Sequence, residues 1–266
     1  MNHRALRGSP QILCVLLLLS CSCSTTVTKI DPRAEAPRQP AMTLKVATLD
    51  LFNLRRRIEK KDVEQFAKII KREQIEILAV QGIARYPTVK SRIDFVNELV
   101  ARTDMRHIFG QTVNNMGRQN GNAVFSIYPI RFNRNTEYEL KSADSESALQ
   151  VAVDAGVKEV VIISTRLPEK MTNRGLSSCI QTIVGLKKAA GGAPVLVMGN
   201  LPASQKRPAS AVFSDVHESP AGTHLKPVSS RIWFNEDETL GLLQARTIET
   251  EFGTMTLAEF GLFSRL

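Results

Sequence analysis

The chain has 266 residues, enough for one large domain or two small ones. Its 43% hydrophobic and 23% charged residues, with 15 Gly and 12 Pro, exclude a disordered or fibrous chain and describe globular material. A formal charge of +9 favours polyanionic partners such as nucleic acid or anionic lipid, although a solvated lysine-rich surface accounts for it with no partner.

Arg4 and Arg7 precede the apolar run Ile12–Leu19, which has the length of a secretory h-region and is too short to span a bilayer. The run ends in Leu18-Leu19-Ser20-Cys21, which resembles a bacterial lipobox, a small residue before a Cys that becomes acylated and N-terminal after cleavage. Residues 1–20 are then a lipoprotein signal peptide, and their loss lowers the formal charge by two. A cut before Cys23 places Ser20 in the apolar slot of the box and fits worse; a plain signal peptide with an incidental Cys is the bland alternative. Two or three acyl chains on Cys21 give lasting membrane attachment, since each buried methylene contributes about 0.8 kcal/mol. Ser22 stands where many inner-membrane lipoproteins carry Asp, so the resemblance points to the outer membrane of the cell envelope.

Residues 21–41 contain the Ser/Thr/Pro-rich stretch Ser22–Ala41 with no apolar periodicity, a flexible tether. No later linker or repeat is visible, so residues 42–266 form one domain. Leu44–Leu51 reads as an apolar strand, and Val63, Phe66, Ile69 and Ile70 mark an amphipathic helix over 62–72. Residues 55–72 hold eight basic and three acidic residues, a solvated face or a surface for an anion. Ile77–Val80 is a buried-type strand, and Ile93, Val96, Leu99 and Val100 give a helix over 92–102. Ala123–Ile127 is a strand ended by Tyr128-Pro129. Ala148–Val153 alternates with period two, and Val160–Ser164 is solidly apolar. A helix over 177–189 stops at Gly191-Gly192. Val195–Met198, 213–216, 231–234 and 256–263 complete the strands. Strands alternating with helices, plus adjacent strand pairs, predict an α/β domain of two packed mixed sheets. Cys179 is the one cysteine inside the domain; it reads as a buried thiol, and no disulfide framework or clustered Cys/His zinc site is present.

The strand frames LKVATLDL, IEILAVQGI, GNAVFSIYPI, VVIISTRL and PVLVMGNLP, in that order, resemble the core strands of the endonuclease/exonuclease/phosphatase family, the Mg²⁺-dependent phosphodiesterases. The resemblance implies a four-layered sandwich of two mixed β-sheets flanked by helices. It also implies metal-assisted phosphodiester hydrolysis, in which oxygen ligands hold Mg²⁺ and a His–Asp pair activates water. The frames persist while the chemical positions change. Asp50 stands where the family has Asn, and Gly82 where it has the metal-binding Glu. Arg166 replaces the phosphate-contacting His; arginine can hold an anion bidentately, so it is the anion-binding candidate. In Gly199-Asn200-Leu201-Pro202, Asn200 and Pro202 replace the water-orienting Asp and the transition-state Asn. Trp233 replaces an Asp, and Glu259-Phe260 replaces the closing Asp-His, with Phe260 in the place of the general base. The implied protein keeps the framework without the catalytic residues, needs no cofactor, and serves as a binding or scaffold module for an anionic ligand or protein partner. Nucleic acid is the less favoured polyanion.

The alternative is a divergent metal-dependent phosphodiesterase, nuclease or phosphatase with a rebuilt site. Its ligands would come from Asp50 and from Asp215, His217 and His224 in DVHESPAGTH, with Asp215 and His217 on one strand face, and Mg²⁺ would return as cofactor. Hydrogen-bonded or exposed histidines explain the same residues without a metal. No nucleotide-binding glycine loop or Ser/His/Asp elbow is present.

Overall fold

The apolar runs become strands buried on both faces, the pattern of sheets covered on two sides. The computed structural model describes residues 38–52, 54, 57–86, 92–140, 146–167, 171–201, 213–219, 225, 230–235 and 238–264. The leader, Cys21, most of the tether, Pro202 and His224 lie outside the described residues. In chain order the elements are β1 (Met42–Asp50), α1 (Lys60–Glu73), β2 (Ile77–Arg85), α2 (Phe95–Thr103), β3 (Arg106–Asn115), β4 (Arg118–Ser126) and β5 (Ile130–Glu137). They continue with β6 (Ser147–Asp154), β7 (Glu159–Arg166), α3 (Asn173–Ala189), β8 (Val195–Asn200), β9 (Ser214–Asp215), β10 (Ser230–Phe234), β11 (Leu240–Thr250) and β12 (Gly253–Leu262).

Two six-stranded sheets result, ordered β11-β12-β1-β2-β4-β3 and β5-β6-β7-β8-β10-β9. Each has one parallel pair at its middle, β1 with β2 and β7 with β8, and the other pairs are antiparallel. Leu44, Val46 and Ile77 from the first sheet and Leu149, Ile162 and Ile232 from the second share the core between the sheets. The outer face of the first sheet packs on α1 and α2 around Phe66, whose ring centroid lies 5.7 Å from that of Phe95. The second sheet packs its outer face on α3 through Ile183, Cys179 and Trp233. Helix, sheet, sheet, helix is the four-layered sandwich expected from the sequence.

Local chemistry sets the ends of the helices. The Asp62 carboxylate accepts the Glu59 amide at 2.7 Å and closes a capping box at the start of α1, and Gln74 leaves the helix in the left-handed region at φ 56°. Asp94 Oδ1 accepts the amides of Val96 and Asn97, so α2 begins at Phe95 and not at Arg92 as the periodicity suggests. Strands β3, β5 and β11 were not foreseen. Strand β5 (IRFNRNTE) is exposed along most of its length at a sheet edge, so it carries no apolar run to betray it.

Candidate functional site

The parallel pairs β1/β2 and β7/β8 end at one edge of the sandwich, and their last residues form the site. Asp50 lies in register with Gln81, Arg166 with Asn200, and Asn200 with Ser230 on β10. Ser230 Oγ accepts the Asp50 amide at 3.2 Å, which ties the two sheets together at this level. The Gln81 side chain does so again, fully buried between the sheets. Its Oε1 accepts Thr48 Oγ1 at 3.2 Å, and its Nε2 donates to Ser164 Oγ at 3.0 Å and to the Met198 carbonyl at 3.3 Å.

Gln81 reaches inward because β2 carries a bulge: Gln81 and Gly82 together oppose the single residue Asn122 of β4. Gly82 adopts φ +67°, and a Cβ there would stand 2.6 Å from the Phe52 backbone. On β8, Gly199 is required for a different reason: a Cβ would fall 1.7 Å from the Thr165 carbonyl oxygen. Both glycines are close-approach residues around the same edge.

Arg166 fills the centre. Its Nη1 donates to Glu146 Oε1 at 2.5 Å, and its Nε lies 3.7 Å from Asp50 Oδ2. The three side chains are only 8%, 10% and 5% exposed for Arg166, Glu146 and Asp50. The Phe52 ring covers the guanidinium, with its centroid 3.4 Å from Cζ. Asp50 spends its remaining acceptor capacity locally: Oδ2 accepts Asn200 Nδ2 at 2.9 Å, and Oδ1 accepts the Phe52 amide at 2.9 Å. Two carboxylates, one guanidinium and one amide thus compensate one another's charge and polarity in a closed cluster, although Arg166 Nε is buried with no hydrogen-bond partner.

A second cluster surrounds Asp215. Its Oδ2 accepts Arg231 Nη1 at 2.8 Å and Trp233 Nε1 at 3.2 Å, and its Oδ1 accepts the His217 amide at 3.0 Å. His217 Nδ1 lies 3.4 Å from the same oxygen. Burial disfavours the charged carboxyl, but His217 and Arg231 outweigh it and hold Asp215 below the usual carboxylate range.

The fold is similar to several solved structures at low identity. The chain matches the endonuclease/exonuclease/phosphatase from Bacteroides vulgatus at 12% identity, over 83% of this chain and 99% of that one, with a TM-score of 0.65. It matches the endonuclease/exonuclease/phosphatase from Beutenbergia cavernae at 14% identity, over 84% and 72% of the two chains, with a TM-score of 0.62. The human Nocturnin catalytic domain with bound sulfate anion matches at 14% identity, over 85% and 94%, with a TM-score of 0.62. No protein-family model matches the chain, and no curated protein does. The fold is that of the endonuclease/exonuclease/phosphatase proteins. At such identities the likeness carries the fold and leaves activity to be argued from the site.

Within this fold the residues present do not fit a magnesium ion. Mg²⁺ requires oxygen ligands in near-octahedral geometry. Gly82 offers no side chain, both oxygens of Asp50 already accept hydrogen bonds, and Glu146 Oε1 faces the Arg166 guanidinium. Among the described residues no group of three His, Cys, Asp or Glu could hold a metal ion.

The structure brings Asp50, Gly82, Arg166 and Asn200 to one place and separates the other positions from them. Trp233 pairs with Val197, three residues from Asn200 and about 10 Å along the strand, and its ring is buried against the α3 side. Glu259 and Phe260 pair with Lys45 and Leu44, some 20 Å along β1 from Asp50, so the closing motif was placed at the wrong end of β12. Thr256, opposite Thr48, lies nearer the level of the site and donates to the Ser230 carbonyl at 2.5 Å. Arg166 is also corrected as an anion-binding candidate, because Glu146 and Asp50 neutralise it and Phe52 covers it. Nor do Asp215 and His217 share a strand face: β9 ends at Asp215, and His217 lies in the turn beyond.

Glu146 and Phe52 escaped the sequence reading. Glu146 meets Arg166 through the β6/β7 register, which sets Ala148 opposite Thr165 and so puts the residues before β6 beside Arg166. An arginine ending an apolar strand needs a nearby carboxylate, and Glu146 is the one that this register supplies. Phe52 gave no signal, since one aromatic after a strand is unremarkable by composition.

Proposed function

We propose that this chain is a membrane-anchored binding or scaffold protein that uses the endonuclease/exonuclease/phosphatase fold without hydrolysing phosphodiesters. The observation that carries the reading is the occupant of the centre, where the positive charge facing Asp50 and Glu146 belongs to Arg166. An arginine side chain supplies charge but no exchangeable coordination site, so it cannot polarise a water or a phosphoryl oxygen as a metal does. No imidazole stands among the residues of the cluster to act as general base. Losing one such group typically removes about 3–4 kcal/mol of transition-state stabilisation, and here several are absent together.

Anchoring would run through Cys21 and the tether, to the outer membrane by the lipobox resemblance. Among the described residues no helix is long and apolar enough to cross a membrane. Labelling the full-length protein with a radiolabelled fatty acid, with Cys21→Ser as control, tests the anchor; incorporation that survives the substitution refutes it. The inactive centre is tested by supplying purified protein with Mg²⁺ or Mn²⁺ and a panel of phosphodiesters. No turnover above a no-protein control is expected, and turnover abolished by Asp50→Ala would sink the reading.

A further inference from the structure

A pocket of about 270 Å³ opens beside the closed centre and shares Phe52 and Gly82 with it. The loop after β1 and the segments around β2 and α2 build its wall, with Phe52, Tyr86 and Phe95 as its aromatic residues. Arg57, Arg92 and Arg118 also line it, and no acidic residue among the described residues does. The guanidiniums of Arg92 and Arg118, with no carboxylate among the described lining residues, give the cavity a positive character.

Arg92 and Arg118 are available in a way that Arg166 is not. Arg92 lies over the Tyr86 ring, 4.6 Å from its centroid, and Arg118 Nε donates to Asn120 Oδ1 at 3.1 Å. Neither has a carboxylate partner among the described residues. A guanidinium stacked on a ring keeps its in-plane donors directed outward, and those donors match the paired oxygens of a phosphate or carboxylate. The Tyr86 and Phe52 rings supply flat apolar surface for the rest of a ligand. The volume lies just below the usual ligand-pocket range of roughly 300–1,000 Å³. It therefore suits one ring and one acidic group better than a long chain.

We infer that this pocket binds a small aromatic anion, a phosphorylated or carboxylated ring, with Arg92 and Arg118 gripping the acidic group. The inference deepens the binding-module reading and rests on it: the ligand is held beside a centre that does not cleave it. Isothermal titration of the full-length protein in detergent, with phenyl phosphate as probe, tests the site. Inorganic phosphate and phenol stand for the two halves of the probe, and benzoate for the carboxylate form. Phenyl phosphate should bind with one-site stoichiometry at least tenfold more tightly than either half. The double variant Arg92→Ala/Arg118→Ala should weaken it at least tenfold with an unchanged melting temperature. Arg92→Lys/Arg118→Lys, which keeps the charge and loses the planar fork, should recover only part of the affinity. Equal affinity for inorganic phosphate and phenyl phosphate, or binding indifferent to the double alanine variant, overturns the pocket, as does no binding at all. Release of phenol during the titration would instead overturn the inactive centre and leave the pocket standing, so the two failures are told apart.

Discussion

Two arginines stack on aromatic rings at the same edge of this molecule, and they have opposite fates. Arg166 lies under Phe52 with Glu146 and Asp50 beside it, almost wholly withdrawn from water. Arg92 lies over Tyr86 at the wall of a cavity, exposed and without a carboxylate partner among the described residues. A buried guanidinium is tolerable only when paired, so the charge of Arg166 is cancelled inside the protein. The charge of Arg92 is left for whatever arrives from solvent. The difference teaches that an arginine beside a recognisable site need not serve a ligand; its neighbours decide.

The contrast is sharpest under substitution. Arg166→Ala leaves two buried carboxylates without their cation and should cost about 3–5 kcal/mol by chemical denaturation, whereas Arg92→Ala should cost under about 0.5 kcal/mol. Similar losses at the two positions would break the distinction. Gly82→Glu comes next, since it restores a carboxylate at the position that the family resemblance assigns to a metal-binding Glu. The left-handed backbone costs about 1–2 kcal/mol, and overlap with Phe52 roughly 1–3 kcal/mol more. The expected outcome is a destabilised protein with no Mg²⁺-dependent turnover, and recovery of activity in a phosphodiesterase assay would contradict the account of the closed centre.

The Asp215 cluster extends the comparison to pH. Asp215→Asn should cost about 1.5–3 kcal/mol near neutrality, because the carboxylate accepts charge-assisted hydrogen bonds. The folded carboxyl binds its proton at lower pH than the unfolded one, so on acidification the unfolded chain takes up the proton first. Stabilisation is therefore complete above the ordinary carboxylate pKa of about 4 and drains away as pH falls through the lower folded value. Melting curves of wild type and variant across pH 2–7 should converge at the acid end; a constant gap would show that the charge of Asp215 does not matter. A smaller effect than at Asp215 is expected of Phe52→Ala, roughly 0.5–1 kcal/mol for the lost cation–π contact, read by denaturant midpoint.

The sequence was most legible where a segment is buried on both faces. Val160–Ser164 and Val195–Met198 lie between core and helix, so each reads as an unbroken apolar run. Edge strands such as β5 carry polar residues toward solvent and resemble loops in composition. At the site, Asp50, Arg166 and Asn200 were legible because strand frames fix them at the ends of parallel pairs. The C-terminal motif was not, because the alternation of β12 allows a frame to slide along the strand with little change in apolar pattern. The partners of Arg166 were hidden for another reason: Glu146 precedes β6 and Phe52 follows β1, and both meet Arg166 only through tertiary pairing.

The amide of Gln81 carries a mechanical consequence. It sits without solvent contact between β1, β7 and β8, with its oxygen and nitrogen engaged across the gap between the sheets. Shearing one sheet over the other would break these bonds inside a dry interior, where an unmet donor costs about 1–3 kcal/mol. The two halves of the sandwich are pinned at that level. Any visiting molecule meets a rigid rim, and adjustment falls to side chains such as Phe52, not to a clamshell movement.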